Sequence, residues 1–333
     1  MCESILTIVV PCFNEEDVLD ETIPRLRSVL VHACKEKLIG SGSTLLLVDD
    51  GSADRTWEII NQYVSNYREV TGLKLSRNFG HQNALIAGME SARPYSDCIV
   101  TIDADLQDDV HAIHDFLIKF NEGYDVVYGV RKKRTTDTAF KRNTAAFFYK
   151  IMQKLGVRMV PNHADFRLLS RRVLDQFVRY KEENLFLRGM IPLLGFRSTK
   201  VYYERGKRLA GESKYPLKKM LNFAIDGITS FSVAPIRMVT YLGVCVAGLG
   251  FFFGIYALIQ HFLGHATSGW TSIILSIWLI GGMQLIATGV IGEYIGKIFK
   301  ETKHRPRYII EKKLVTGKRD KLEKLEKIKK TAF

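Results

Sequence analysis

Through the first hundred residues, short apolar runs alternate with segments whose apolar positions recur at helical spacing. Ile5–Val10 is a continuous apolar run ended by Pro11; from Glu15 to Val31, Val18, Ile23, Leu26 and Leu30 mark one face of a helix. Leu45–Val48 is stopped by Asp49-Asp50-Gly51-Ser52, and a helix from about Asp54 carries Trp57, Ile60 and Val64. Gly72–Leu75 precedes a helix over Gln82–Ser91, and Ile99–Ile102 ends at Asp103. Strands apolar at consecutive positions are buried on both faces, the condition of a mostly parallel sheet between helical layers. The repeated strand-then-helix order predicts an α/β, Rossmann-like domain. Ligands of such open sheets bind beyond the carboxyl ends of the strands. Polar clusters stand at each of those ends: Asn14-Glu15, Asp49-Asp50, Arg77-Asn78, then Asp103 and Asp105.

The pattern changes near residue 216. Pro216 to Met238 mixes Leu217, Met220, Leu221, Phe223 and Ile225 with Lys218, Lys219 and Arg237, as amphipathic helices lying at a membrane interface do. Val239–Phe262 and Ser272–Ile295 are apolar stretches long enough to span a bilayer, which takes about 20 helical residues. The loop Leu263–Thr271 has no Lys or Arg, whereas Lys297, Lys300, Lys303, Arg305 and Arg307 follow the second stretch. The positive-inside rule then places the N-terminal domain and both termini in the cytoplasm, in a two-span membrane protein. The expected organisation is 1–215 as the α/β domain, 216–238 as interface helices, 239–296 as two spans and 297–333 as a basic tail. Leu322, Leu325 and Ile328 recur among lysines in that tail, as in a solvated helix or one bound to anionic headgroups. Gly and Ala in the spans favour close helix packing, within a chain or between protomers.

Charge and cysteine content narrow the function. The 333 residues carry a formal charge of +13, which suits nucleic acid, an anionic membrane face or a phosphate-rich substrate. No RNP-like aromatic pattern, zinc-finger spacing or heptad zipper accompanies it, so nucleic acid is set aside. The five cysteines are dispersed without paired spacing. They form no disulfide framework and fit a reducing compartment. Ile5–Val10 is too short and lacks the basic leader of a signal peptide, so none is expected.

Asp103-Ala104-Asp105-Leu106-Gln107-Asp108 carries the strongest chemistry. Two carboxylates at the end of a buried strand repel one another unless a cation sits between them. A hard divalent ion such as Mg²⁺ or Mn²⁺ takes one or two carboxylates plus substrate phosphates. Asp49 and Asp50 suit hydrogen bonds from a base or ribose, although Ser52 or Asp54 also serves as a helix cap. Pro11-Cys12-Phe13-Asn14-Glu15 reads equally as a simple strand-to-helix turn capped by Asn14.

Together VVPCFNEED, LLLVDDGSADRT, LSRNFGHQNALIAGM, TIDADLQDD, VVYGVR, ADFRLLS and ERGKRLAGESKY, in this order from about Leu6 to Tyr215, resemble the family 2 glycosyltransferases of GT-A fold. The polyisoprenyl-phosphate branch, with dolichol-phosphate mannose synthase and bacterial undecaprenyl-phosphate glucosyltransferases, is the nearest in pattern, and the two C-terminal spans match its bacterial members. The resemblance implies that Pro11, Phe13, Glu15 and Asp50 hold the nucleotide. It implies that Asp103, Asp105 and Gln107 surround a metal and the diphosphate, that Arg131 binds phosphate near the sugar, and that Asp165 faces the acceptor. Arg205, Arg208, Ser213 and Lys214 belong to a segment that folds over the site onto phosphate oxygens. Arg77, Asn78 and His81 lie near the site with a less defined role. Phe13 replaces the usual Tyr, and Gly129-Val130-Arg131 the usual Gly-Ser-Arg.

The implied reaction is an inverting transfer of a hexose from a nucleotide sugar to a polyprenyl phosphate, with Mg²⁺ or Mn²⁺ as cofactor. UDP-glucose or another UDP-hexose and undecaprenyl phosphate lead; GDP-mannose is the alternative donor. A homo-oligomer, tetramer or dimer, is expected. An anionic acceptor needs positioning and charge screening more than a base, and Asp165 is the one candidate base. A processive polysaccharide synthase would bring more spans and a QxxRW motif, both absent here. A scaffold that merely binds nucleotide would not need the Asp pair, Asp165 and the Arg/Lys segment together.

Overall fold

The computed structural model describes residues 4–132, 163–182, 187–204, 206, 234–263 and 269–315. Arg205, Arg208, Ser213, Lys214, residues 216–233 of the expected interface helices and residues 316–333 of the tail lie outside that set.

The expected alternation is present: β1 (Leu6–Cys12), α1 (Glu16–Lys35), β2 (Thr44–Asp49), α2 (Thr56–Asn66), β3 (Val70–Leu75), α3 (His81–Ala92), β4 (Cys98–Thr101) and α4 (Ala112–Asn121). There follow β5 (Val126–Arg131), β6 (His163–Ser170), α5 (Arg171–Phe177), α6 (Leu187–Leu193) and β7 (Ser198–Tyr203). Each residue of β1 and β2 is buried, which accounts for their unbroken apolar runs. Alternate residues serve opposite layers. Ile8 and Val10 join the cluster formed with Leu19, Ile23 and Leu26 of α1 and Phe116 of α4. Val9 faces α3, so close to Gly88 that a Cβ there would collide with its side chain.

The strands form an eight-stranded sheet in the order β7-β5-β6-β4-β1-β2-β3-β8. The central β4, β1, β2 and β3 are parallel. β6 runs antiparallel between β4 and β5, a reversal that the sequence pattern did not announce. It matters for chemistry, because β6 starts at the edge where β4 ends. Thr101 pairs with Arg167, so Asp165, two residues before Arg167, stands level with the loop that follows β4.

Two long helices follow, α7 (Ala234–Phe262) and α8 (Trp270–Thr302), of 29 and 33 residues. Both are long and apolar enough to cross a bilayer. Phe251, Phe252, Phe253 and Leu285 are among their exposed side chains, a surface that water alone tolerates poorly. The second helix extends seven residues beyond the expected end of its span, through Lys297 and Lys300.

Residues 297–333 were expected as a basic tail, but Ile310–Leu314 form β8, antiparallel to β3. Residues 306–315 belong to the compact unit formed by the α/β domain. Ser76 N–H donates to Ile309 O at 3.0 Å, and Tyr308 hydrogen-bonds Glu90. Glu311, Lys312 and Lys313 disguise the strand, since an edge strand with solvent beside it keeps charged residues.

Candidate active site

At the ends of β1 and β2 the two loops hold one another. Asn14 adopts φ 54° and, instead of capping α1, accepts from Ala53 N–H at 2.9 Å, while its own N–H donates to Ser52 Oγ at 3.0 Å. Glu15 N–H donates to Thr56 Oγ1 at 2.9 Å. Pro11 and Cys12 are buried beneath this junction, and Phe13 is 43% exposed. Burial pushes the Cys12 thiol well up, with nearby Glu15 adding to the effect, so it is an inert core residue. Gly51, at φ +69°, runs against the backbone of Arg77, where any Cβ would collide.

The adjacent aspartates differ. Both Asp50 oxygens accept backbone N–H groups, Phe79 at 2.8 Å and Gly80 at 2.9 Å, and so set the loop that begins α3. Asp49 Oδ1 accepts from Ser52 N–H at 3.0 Å. Asp49 Oδ2 is buried without a hydrogen-bond partner among the described residues. Asp49 is therefore better placed than Asp50 to receive a donor from a ligand.

Beyond β4, Thr22 of α1 donates to Ala104 O at 2.7 Å and fixes the loop between the two aspartates. Asp103 Oδ1 is the second buried carboxylate oxygen with no hydrogen bond among the described residues. Burial, partly offset by His81, pushes the Asp103 carboxyl up to about 6. Asp105 Oδ1 accepts from Gln107 N–H at 3.2 Å, and Gln107 O accepts from Gly206 N–H at 2.9 Å. Gly206 is thus held against this loop. Among the described residues no three His, Cys, Asp or Glu side chains could hold an ion unaided. A carboxylate oxygen enclosed without a hydrogen bond, with His81 Nε2 3.4 Å away, nevertheless fits a hard cation that draws its remaining ligands from substrate phosphates.

Two arginine clusters flank the aspartates. Arg131 donates to Asp108 Oδ1 at 3.0 Å, and Tyr203 OH reaches the same oxygen at 2.5 Å. Asp108, almost fully buried, thereby orients Arg131 rather than joining Asp103 and Asp105. In the other cluster Asp165 binds Arg167 and Arg188: Arg188 approaches with its NH2 3.0 Å from Oδ2 and its Nε 3.4 Å from Oδ1. His81 Nε2 links the sites, 3.4 Å from Asp103 Oδ1 and 3.7 Å from Asp165 Oδ2. Burial alone would favour neutral Asp165, but Arg188, His81 and Arg167 outweigh it and hold the carboxyl well below the usual range. Burial opposes a charge on His81, yet Asp165 and Asp103 together raise its pKa.

The structure gathers Pro11, Phe13, Glu15, Asp50, Asp103, Asp105, Gln107, Arg131 and Asp165 along one end of the sheet. Reading the sequence missed Arg167, Arg188 and Tyr203 as members of the site, and gave Asp108 no role of its own. Arg167 and Asp108 were visible inside quoted motifs, whereas Arg188 and Tyr203 join through tertiary contact.

A family model described as glycosyl transferase family 2 matches residues 7–178, more than half of the chain. The protein belongs to that family. The enzyme is 54% identical over 325 residues to an uncharacterized glycosyltransferase, YkoT, of Bacillus subtilis strain 168, covering 98% of this chain and 96% of that one. It is 39% identical over 307 residues to the bactoprenol glucosyl transferase of Shigella phage SfV, covering 92% and 97%. With the prophage bactoprenol glucosyl transferase homolog of Escherichia coli K12 it shares 38% over 309 residues, covering 92% and 98%. The mixed sheet and the family together define a GT-A glycosyltransferase.

Proposed function

We propose that the enzyme transfers a hexose, foremost glucose from UDP-glucose, to a polyprenyl phosphate such as undecaprenyl phosphate at the cytoplasmic membrane face. The observation that carries this reading is the likeness to bactoprenol glucosyl transferases, which extends over 92% of the chain, apolar helices included. The order of strands agrees with it. Asp49 ends β2 and Asp50 follows it, Pro11 belongs to β1, Asp103 and Asp105 follow β4, and Asp165 lies on β6. A nucleotide over β1 and β2 would put its diphosphate at the aspartates and its sugar toward β6.

Asp103 and Asp105 would hold Mg²⁺ or Mn²⁺, which when bound neutralises the diphosphate as charge builds on the leaving oxygen. Arg131, aimed by Asp108 and Tyr203, adds fixed positive charge on the same side. Arg205, Arg208, Ser213 and Lys214 would complete the phosphate contacts. An acceptor phosphate oxygen attacks C1 as the bond from C1 to the diphosphate breaks, in one inverting displacement. No proton has to be removed from an already anionic acceptor, and Asp165, with its low proton affinity, serves to position rather than to accept one.

The two apolar helices would tether the domain to the bilayer where the acceptor resides. Sheet residues precede α7 and follow α8, so both ends of the helical pair stay with one domain, as two crossings require. The open glycine surfaces of α7 and α8 would serve association into a homo-oligomer.

Full-length enzyme with Mn²⁺, undecaprenyl phosphate and radiolabelled UDP-glucose is expected to yield labelled lipid. Label entering solely from GDP-mannose would replace the donor, and none from any UDP- or GDP-sugar would sink the reading. The cation site adds a pH expectation. Because the Asp103 pKa is raised to about 6, protons compete with the cation below that pH. Mn²⁺ affinity by titration calorimetry should weaken by up to about tenfold per unit as the pH falls from 6; an affinity flat from pH 7 to 5 would remove Asp103 from the ligand set.

A further inference from the structure

Thr22 is the one polar side chain on the buried face of α1, set among Leu19, Ile23 and Leu26, and it is 0% exposed. A threonine inside a helix commonly turns its hydroxyl to the carbonyl four residues back, and Thr22 Oγ1 is 2.9 Å from Val18 O. A second carbonyl, Ala104 O, lies nearer, at 2.7 Å. One hydroxyl has one proton to give. Val18 O keeps the helical N–H of Thr22 in either case. Ala104, 3% exposed, has no other donor to its carbonyl among the described residues. Leaving a buried carbonyl unpaired is unfavourable, so the proton belongs to Ala104 O.

The loop beyond is held in an uncommon shape. Leu106 has φ 52°, a left-handed conformation that a side chain of its size rarely adopts, and its side chain stays in the core cluster. Gln107 O accepts Gly206 N–H at 2.9 Å. Asp105 is thus flanked by fixed points, and Thr22 supplies the one that precedes it. The peptide joining Ala104 to Asp105 is planar, so holding its oxygen sets the plane from which the Asp105 side chain departs.

We infer that Thr22 is a positioning residue for the cation site: its hydroxyl holds the peptide between Ala104 and Asp105 so that the carboxylates of Asp103 and Asp105 stay together before an ion arrives. The inference rests on the proposed cation at these aspartates and adds the residue that keeps them in place. Burial raises the Asp103 pKa; His81 lowers it, and the charges of Asp165, Asp108 and Asp105 raise it further. Asp103 and Asp105 therefore repel one another when no ion lies between them. Rotation of the intervening peptide would let them part, and the Thr22 hydrogen bond opposes that rotation. A ligand set held in advance gives up less conformational freedom on binding.

The test titrates Mn²⁺ into full-length enzyme in detergent, saturated with UDP, and follows binding by calorimetry for wild type, Thr22→Val and Thr22→Ser. Valine keeps the shape of the side chain and removes the donor, whereas serine keeps the donor. Thr22→Val is expected to weaken Mn²⁺ binding roughly 3- to 10-fold, the size of one neutral hydrogen bond, with uridine affinity within about twofold of wild type. Thr22→Ser should bind Mn²⁺ within about twofold of wild type. In transfer assays the Mn²⁺ concentration giving half-maximal rate should rise with Thr22→Val by the same factor as the dissociation constant. A lower stoichiometry at unchanged affinity, or equal losses for Mn²⁺ and uridine, would make Thr22 a purely structural residue and overturn the inference. So would serine proving no better than valine. If wild type binds Mn²⁺ and Thr22→Val binds it as tightly, the positioning role fails and the cation site stands. If wild type takes up no Mn²⁺ with UDP or with GDP, the cation site itself fails, and the role of Thr22 with it.

Discussion

Replacing Asp105 by Asn is expected to lower the transfer rate by roughly 10³-fold, the scale of several kcal/mol of transition-state charge stabilisation. The amide keeps the shape of the side chain and its contact with Gln107 N–H but not the negative charge that draws in a cation. Asp165→Asn should cost less rate per folded molecule. Its carboxylate is already committed to Arg167 and Arg188, and a group with so low a proton affinity contributes little as a base. Single-turnover rates of the two variants, each at saturating donor and normalised to folded protein, decide the matter. Greater damage from Asp165→Asn than from Asp105→Asn would restore Asp165 to the role of essential base.

Arg167→Met should be the most destabilising of the single substitutions considered. The arginine is enclosed and ion-paired with Asp165, itself 9% exposed. Removing one member of a buried pair leaves the other charge inside the protein, at a cost of about 3–5 kcal/mol. For a domain of this size that corresponds to a fall in Tm of roughly 10 °C. Arg188 softens the effect, because it still pairs with Asp165 Oδ2 at 3.0 Å. Thermal melts of the full-length enzyme, with nucleotide absent, provide the measurement. A variant melting within about 2 °C of wild type would show that Asp165 does not depend on Arg167.

The contrast between these aspartates shows how far the sequence could be read. β1, β2 and β4 are buried on both faces and announce themselves as apolar runs, and Asp103 and Asp105 follow directly from β4, so strand and site are contiguous. The two long helices were equally plain, because length and lack of charge are local properties. Asp108 and Tyr203 are 95 residues apart in sequence, and Arg188 reaches Asp165 across 23. Such pairs follow from the antiparallel insertion of β6 and the placement of β7 beside β5, which no periodicity encodes. Asp50 illustrates a subtler limit. Its motif pointed to the nucleotide, whereas its carboxylate spans two backbone N–H groups. β8 escaped for the opposite reason, since its charged residues mimic a solvated tail.

β8 also sets an order of events during synthesis. The strand that covers the free edge of β3 is encoded after both apolar helices, so a nascent chain has made seven of the eight strands before the eighth leaves the ribosome. Until then the N–H and C=O groups along β3 lack their last neighbour, the kind of open edge that invites aggregation. Translation must pass through α7 and α8 first, two helices long and apolar enough to cross a bilayer. The sheet therefore closes only in a molecule whose two long apolar helices have already been made, so a chain cut short within or before them is left with the edge of β3 uncovered.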